Sequence, residues 1–279
     1  MPGAEVRAAL EAAVVRVGPG MEPQNVSNIS LSFATLGLMP GTAAWAVLEA
    51  AVARVAPCMN AQALANALWS FFILAATRGV PLPAGYPSLW RLVCGLDVGS
   101  FDPTGIRMMF HAHLIHTELV SGDVLDDVVF PSWIVHEARE AWMRSARTDV
   151  TVPTWVKEAA SIIGVLGVPY EVEHLTNDGY FCVDVYMPDD DVVLEFDGPT
   201  HFNTLLADTG EGGVPGDASR GTWTRTPRTE LRDMFLKRRH HAVVSVPWFE
   251  WAELSGSEDR SHYIAGKLQG AGVRIPASA

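Results

Sequence analysis

The sequence predicts an α-helical repeat array, an alpha-solenoid, followed by a small α/β domain. Three observations carry this prediction. The first half matches itself at an offset of 38 residues, its apolar residues recur at three- and four-residue steps, and after Gly167 the apolar pattern alternates with a period of two. A chain of 279 residues is long enough for two modest domains, each with its own core.

The repeat comes first. MPG at 1–3 meets MPG at 39–41, and LEAAV at 10–14 meets LEAAV at 48–52. The match runs on through Arg16 and Arg54, Pro19 and Pro57, Met21 and Met59, Gln24 and Gln62, Asn28 and Asn66, Ser32 and Ser70, and Phe33 and Phe71. Alanine-rich helices share scattered alanines by chance, but not proline, methionine, asparagine and phenylalanine in register. Each copy reads as two helices, near 6–17 and 23–36 in the first and near 43–55 and 60–75 in the second, with Gly18, Pro19 and Gly20 as the breaker. Val26, Ile29, Phe33 and Leu36 form one apolar stripe, repeated by Leu64, Ala67, Phe71 and Leu74. A helix pair cannot bury such a stripe alone, so neighbouring copies must supply the missing core. Two copies are fewer than a free-standing solenoid needs, so the chain reads as part of a longer array; a short helical domain from one duplication is the alternative.

Residues 97–167 read as a helical bridge after an array at 1–96, with helical patterns at 102–120, at 132–147 and from Pro153 to near Gly167, each opened by a polar cap or a proline. His111, His113 and His116 invite a metal reading because histidines three apart share a helix face, yet no carboxylate or cysteine completes a set. Cys58, Cys94 and Cys182 lack the pairing of a disulfide framework or zinc knuckle and are expected as reduced core thiols.

Residues 168–270 form the α/β domain, with strands at 180–187, 192–196 and 242–247, a charged helix ending near His240 and a last helix at 259–268. Within it, 203–228 reads as a flexible loop, because TGEGGVPGDASRGTW at 209–223 is of low complexity. Asp184 lies on one arm of the predicted hairpin, while Glu195 and Asp197 share a face of the other. Three converging carboxylates repel one another, so the cluster is either a magnesium site or a network pinned by Arg, His or backbone groups.

The net charge of −12 excludes a chain that coats nucleic acid by bulk attraction. Any such site must be local, and the one basic stretch runs through Arg220, Arg225, Arg228, Arg232, Lys237, Arg238 and Arg239. No apolar run reaches the roughly 18 residues of a transmembrane helix, so no membrane partner is expected. The start MPGAEVRAAL lacks the Arg-rich, acid-poor composition of a transit peptide.

EFDGPTHF at 195–202, followed by LKRRHHAVVSVPWFEWAEL at 236–254, resembles the signature of the RAP domain in order and spacing, over about 170–268. The helical copies, with LSFATLGL at 31–38 and LWSFFIL at 68–74, resemble octotricopeptide repeats and the helical regions of the Fas-activated serine/threonine kinase family. The RAP resemblance implies a restriction-endonuclease-like fold, similar to the very-short-patch-repair and other PD-(D/E)xK nucleases, in which a hairpin Asp and Glu hold magnesium. Asp184 and Glu195 match those positions, but Asp197 stands where the usual catalytic Lys would be, with Lys237 as a migrated cation and His201 as a base the candidates to stand in.

What the resemblance implies is binding of single-stranded RNA, an organellar transcript in mitochondrion or chloroplast, in its processing, stability or translation. Protein partners in a ribonucleoprotein complex are also expected. RNA contacts are expected from Arg225, Arg228, Arg232, Lys237, Arg238, Arg239 and His201, with stacking on Trp248 and Trp251. Asn28, Asn66, Ser32 and Ser70 read either as base-reading polars or as helix-packing polars. The alternatives are a magnesium-dependent endoribonuclease using Asp184, Glu195 and Asp197, and a protein-binding adaptor. A cofactor, Mg2+, is expected only for the nuclease.

Overall fold

The computed structural model of the chain describes residues 3–120, 128–148, 152–205 and 222–276. In chain order the helices are α1 (Ala4–Val17), α2 (Pro23–Leu36), α3 (Thr42–Val55), α4 (Ala61–Arg78), α5 (Tyr86–Cys94), α6 (Pro103–Leu114), α7 (Arg139–Thr148) and α8 (Thr154–Val165). Then come β1 (Glu171–Leu175), β2 (Cys182–Met187), β3 (Val192–Asp197), β4 (Phe202–Leu205), β5 (Thr222–Arg225), α9 (Pro227–Lys237), β6 (Ala242–Pro247), α10 (Trp248–Ala252) and α11 (Ser257–Gly270). An all-helical region is thus followed by a mixed α/β domain. Contacts group residues 1–142 with 203–231, and 143–202 with 232–279. Among the described residues no helix is long and apolar enough to cross a membrane.

In the helical unit both copies of the repeat fold alike. Each pair is divided by a 3-10 turn, Gly18–Gly20 or Ala56–Cys58, with proline in the middle, followed by a buried methionine, Met21 or Met59. The second helix is then capped: Asn60 Oδ1 accepts from Ala63 N at 2.9 Å, and Glu22 with Asn25 forms a reciprocal capping box. α5 and α6 repeat this scheme a third time. The 3-10 turn is Val98–Ser100, Phe101 takes the buried methionine's place, and Asp102 caps Gly105 N at 2.6 Å. A search at a 38-residue offset misses this pair, because Asp102 follows Asn60 by 42 residues. α1 packs on α3, α2 on α4, and α4 on α5 and α6, which buries Phe71, Phe72, Tyr86, Trp90 and Phe110. π-helical turns at Ile115–Leu119 and Ile134–Ala138 follow, the second packed on α6.

The helix-packing reading of the repeated polar residues holds for the second copy, where Asn66 and Ser70 are buried, whereas Asn28 and Ser32 are exposed. The same local bonds recur in both copies: Gln24 donates to Asn28 at 3.0 Å and Gln62 to Asn66 at 2.9 Å. His111 and His116 belong to the core, and His113 is half-buried. His111 Nδ1 accepts from Trp69 Nε1 at 3.1 Å, and His116 bonds Tyr86, which accepts from Trp90 at 2.7 Å. Burial pushes His111 down to about 3, helped by Arg228, and His116 to about 4, helped by His113. The cysteine expectation needs correction. Cys58 and Cys94 are exposed, and only Cys182 is half-buried.

β4 and β5 form a two-stranded sheet that lies at the two ends of the expected loop 203–228, whose residues 206–221 lie outside those described. Residues 203–205 and 222–231 pack with the helical repeats. Asn203 Nδ2 donates to Leu36 O at 3.4 Å, and Arg78 reaches both Glu230, at 2.6 Å, and Gly37 O, at 2.9 Å.

The α/β unit is built on a four-stranded sheet of order β1-β2-β3-β6, in which β6 runs parallel to β3 and the other pairs are antiparallel. Alternation puts Val185, Leu194, Phe196 and Val246 on one face, against Val156 and Ile163 of α8 and Ile264 and Leu268 of α11. α8, expected in the bridge, therefore packs on this sheet. The later part of α9 covers the other face, where Phe235 stacks on Phe181 at 5.5 Å. β1 escaped the sequence reading because its EVEHL pattern is that of an edge strand with its first two residues exposed.

Candidate nucleic-acid interface

The polar face of the sheet carries the three carboxylates. Val185 pairs with Leu194, so Asp184 lies opposite Glu195 in the same register, and Ser245 of β6 stands beside Glu195. Glu195 and Asp197 are 4% and 1% exposed, far too buried to be left as bare charges.

Each carboxylate has its own protein partner. Arg232, on α9, grips Glu195 with a two-pronged fork, Nε to Oε2 at 2.8 Å and Nη2 to Oε1 at 3.1 Å, and also donates to Cys182 O. Asp197 binds His201 Nδ1 through Oδ1 at 2.8 Å and accepts from Ser245 through Oδ2. Asp184 Oδ2 accepts from Phe196 N at 2.6 Å. Burial and then the Glu195 charge push Asp184 up to about 7. Burial alone would lower Arg232, but the Glu195 carboxylate outweighs it and holds the guanidinium charged. The Cys182 thiol is pushed up to about 12, by burial first and then by its bond to Glu173 at 3.3 Å.

The residues present do not fit magnesium. The ion needs a near-octahedral set of oxygens, mostly carboxylate and water. Both oxygens of Glu195 are committed to Arg232, both oxygens of Asp197 to His201 and Ser245, and the guanidinium places a fixed positive charge where a cation would sit. Among the described residues, no three His, Cys, Asp or Glu side chains are disposed to hold a metal ion. Of the two readings left open by the sequence, the geometry is that of the pinned network.

The expected RNA contacts divide. Arg232 is spent on Glu195, and Arg239 on Asp178, at 2.6 Å, and on the Phe181 ring. Trp251 leaves the stacking candidates because it is 6% exposed, in the core with Trp155, Phe196 and Tyr263. His201 is half-buried on Asp197. In the α/β unit Lys237 and Arg238 are exposed at the end of α9, and Trp248 is half-buried, packed edge-on to Phe249 at 6.0 Å, which in turn packs on Phe202. In the helical unit Arg228 is exposed and Arg225 half-buried.

Sequence reasoning counted Arg232 as basic surface and missed Ser245 and Asp178. One signal was present: Arg232 sits between Leu231 and Phe235, on the apolar side of its helix, where an arginine needs a carboxylate. Compared with known families, residues 194–267 match the RAP domain, and the match does not extend to the helical repeats.

Proposed function

Given that residues 194–267 form a RAP domain, a domain generally associated with RNA binding, we propose that this protein binds single-stranded RNA and leaves it intact. Lys237 and Arg238 at the end of α9, and Arg228 in the helical unit, supply exposed cations for phosphates. Trp248, half-buried, supplies the ring on which a base stacks. Its role is in the processing, stability or translation of an organellar transcript, in mitochondrion or chloroplast. The helical copies act as octotricopeptide-like repeats alongside the RAP domain.

The single observation that supports binding over cleavage is the Arg232 fork on Glu195. A nuclease of the PD-(D/E)xK type needs that carboxylate for its metal, and here it is neutralised within the fold. The test incubates labelled single-stranded RNA with the full chain in magnesium and in EDTA, and follows retention and cleavage together. Retention of intact RNA in both buffers is expected, weakened about tenfold by the double change Lys237→Ala and Arg238→Ala, which removes two phosphate contacts. Magnesium-dependent products that vanish in Glu195→Ala would instead make the protein an endoribonuclease. No retention at low salt would leave it an adaptor.

A further inference from the structure

In the α/β unit the turn between β1 and β2, residues 176–180, has an arginine on each side. On one side lies the end of α9, where Arg239 Nε donates to Asp178 Oδ2 at 2.6 Å and the guanidinium sits 5.9 Å from the centre of the Tyr180 ring. On the other side lies the last part of α7. A Cβ on Gly179 would be 2.8 Å from Met143 Cε and 3.8 Å from Arg147 Nη2. Residues 143–148 group with the sheet and with residues 232–279, so the end of α7 and the end of α9 meet at one short turn although they are far apart in the sequence.

The turn is held in one shape. Asp178 Oδ1 accepts from Thr176 Oγ1 at 2.7 Å and from Tyr180 N at 3.0 Å, so both oxygens of this carboxylate are engaged. Asp178 is the one carboxylate in the turn, and Arg239 neutralises it. What remains around the turn is positive. Arg147, Lys237 and Arg238 are exposed, and none of the ion pairs among the described residues includes them. An exposed cation that no carboxylate of the chain neutralises is open to a phosphate. The half-buried Tyr180 ring lies beside these cations, and single-strand sites combine a basic track for the backbone with rings on which bases stack.

We infer that the RNA surface of the α/β unit continues beyond Lys237 and Arg238, across the 176–180 turn to Arg147, with Tyr180 as a ring on which one base stacks. This site rests on the RNA-binding reading above and enlarges it. The segment matched to the RAP domain, 194–267, holds Lys237 and Arg238 but neither Arg147 nor Tyr180. The phosphate track is therefore completed by residues that precede the matched segment.

Fluorescence anisotropy of a labelled single-stranded RNA, titrated with the full chain at several salt concentrations, tests it. Arg147→Glu is expected to weaken binding about tenfold. Lys157→Glu makes the same change of charge on an exposed residue of α8, across the sheet, and should alter binding less than about twofold because a distant charge is screened. Arg147→Ala should lower the slope of log K against log salt by about 0.7, one phosphate contact on a single strand. Tyr180→Ala should cost about tenfold with the slope unchanged, and Tyr180→Phe should keep binding, because the ring and not the hydroxyl carries the stack. Far-UV circular dichroism and thermal melts check that each variant stays folded. If Arg147→Glu binds RNA as tightly as the wild type while the double change Lys237→Ala and Arg238→Ala weakens it, this site is overturned and the RNA reading stands. Equal losses in Arg147→Glu and Lys157→Glu reduce the effect to net charge and overturn the site as well. A wild-type chain that retains no RNA at low salt overturns the RNA reading itself, and this site with it.

Discussion

At Arg232 one guanidinium decides what the carboxylate cluster can do. It holds Glu195 by two bonds in a site where Glu195 is 4% exposed, so losing the arginine leaves a buried, uncompensated charge facing Asp184. Arg232→Met is expected to cost about 3 kcal/mol in urea unfolding, while the double change with Glu195→Leu recovers most of that loss, since breaking a buried pair costs more than replacing it. A single-variant cost below about 1 kcal/mol would mean that water screens the pair. Asp184 makes a prediction of opposite character. Its carboxyl is pushed up to about 7 by burial and by Glu195, so the folded state holds a proton that the unfolded state releases near its ordinary value of 3.8. Stability from this proton is complete below pH 4 and is lost as pH rises through about 7. Asp184→Asn should flatten that slope and make the protein more resistant to heat than the wild type above pH 7, as thermal melts at several pH values will reveal.

Among the helices, α2 and α4 end alike, in Gly37 and Gly79 with φ of 65° and 66°, a left-handed conformation that a Cβ opposes. Their surroundings differ. A Cβ on Gly37 would lie 2.5 Å from Arg78 Nη2 and 2.7 Å from Pro227 Cγ, whereas one on Gly79 meets nothing within 4 Å. Gly79→Ala should cost about 1 kcal/mol, the backbone strain alone, and Gly37→Ala about twice that, because Arg78 must release Glu230 or Gly37 O. Equal shifts in melting temperature would remove Arg78 from the argument. At this scale the repeat was legible because its copies keep Pro, Met, Asn and Phe in register. The third pair, α5 and α6, was not, because its longer connection breaks the 38-residue offset and Phe101 replaces methionine. β4 and β5 were hidden because turn-rich composition marks a loop without marking the short strands that flank it.

Over the whole chain the net charge of −12 leaves few cations for RNA, and pairing reduces them further. Arg232 and Arg239 looked like surface in the sequence because charge runs usually are. Their removal from the candidate surface follows from partners 37 and 61 residues away, Glu195 and Asp178, which no local pattern announces. The carboxylates themselves were legible, since two-residue spacing fixes the face of a strand, but the choice between a metal and an arginine depended on which side of α9 met the sheet. The parallel pairing of β3 with β6 also bears on how the protein is made. All six residues of β3 are buried, and the neighbour on one edge ends at Pro247, about fifty residues further along. On a ribosome adding about 5–20 residues per second, that edge waits on the order of several seconds for its partner. During that interval the nascent chain presents Val192–Asp197, a strand with one apolar face and an unpaired edge, to every other nascent chain nearby, so synthesis that stalls before β6 emerges yields a product prone to aggregate.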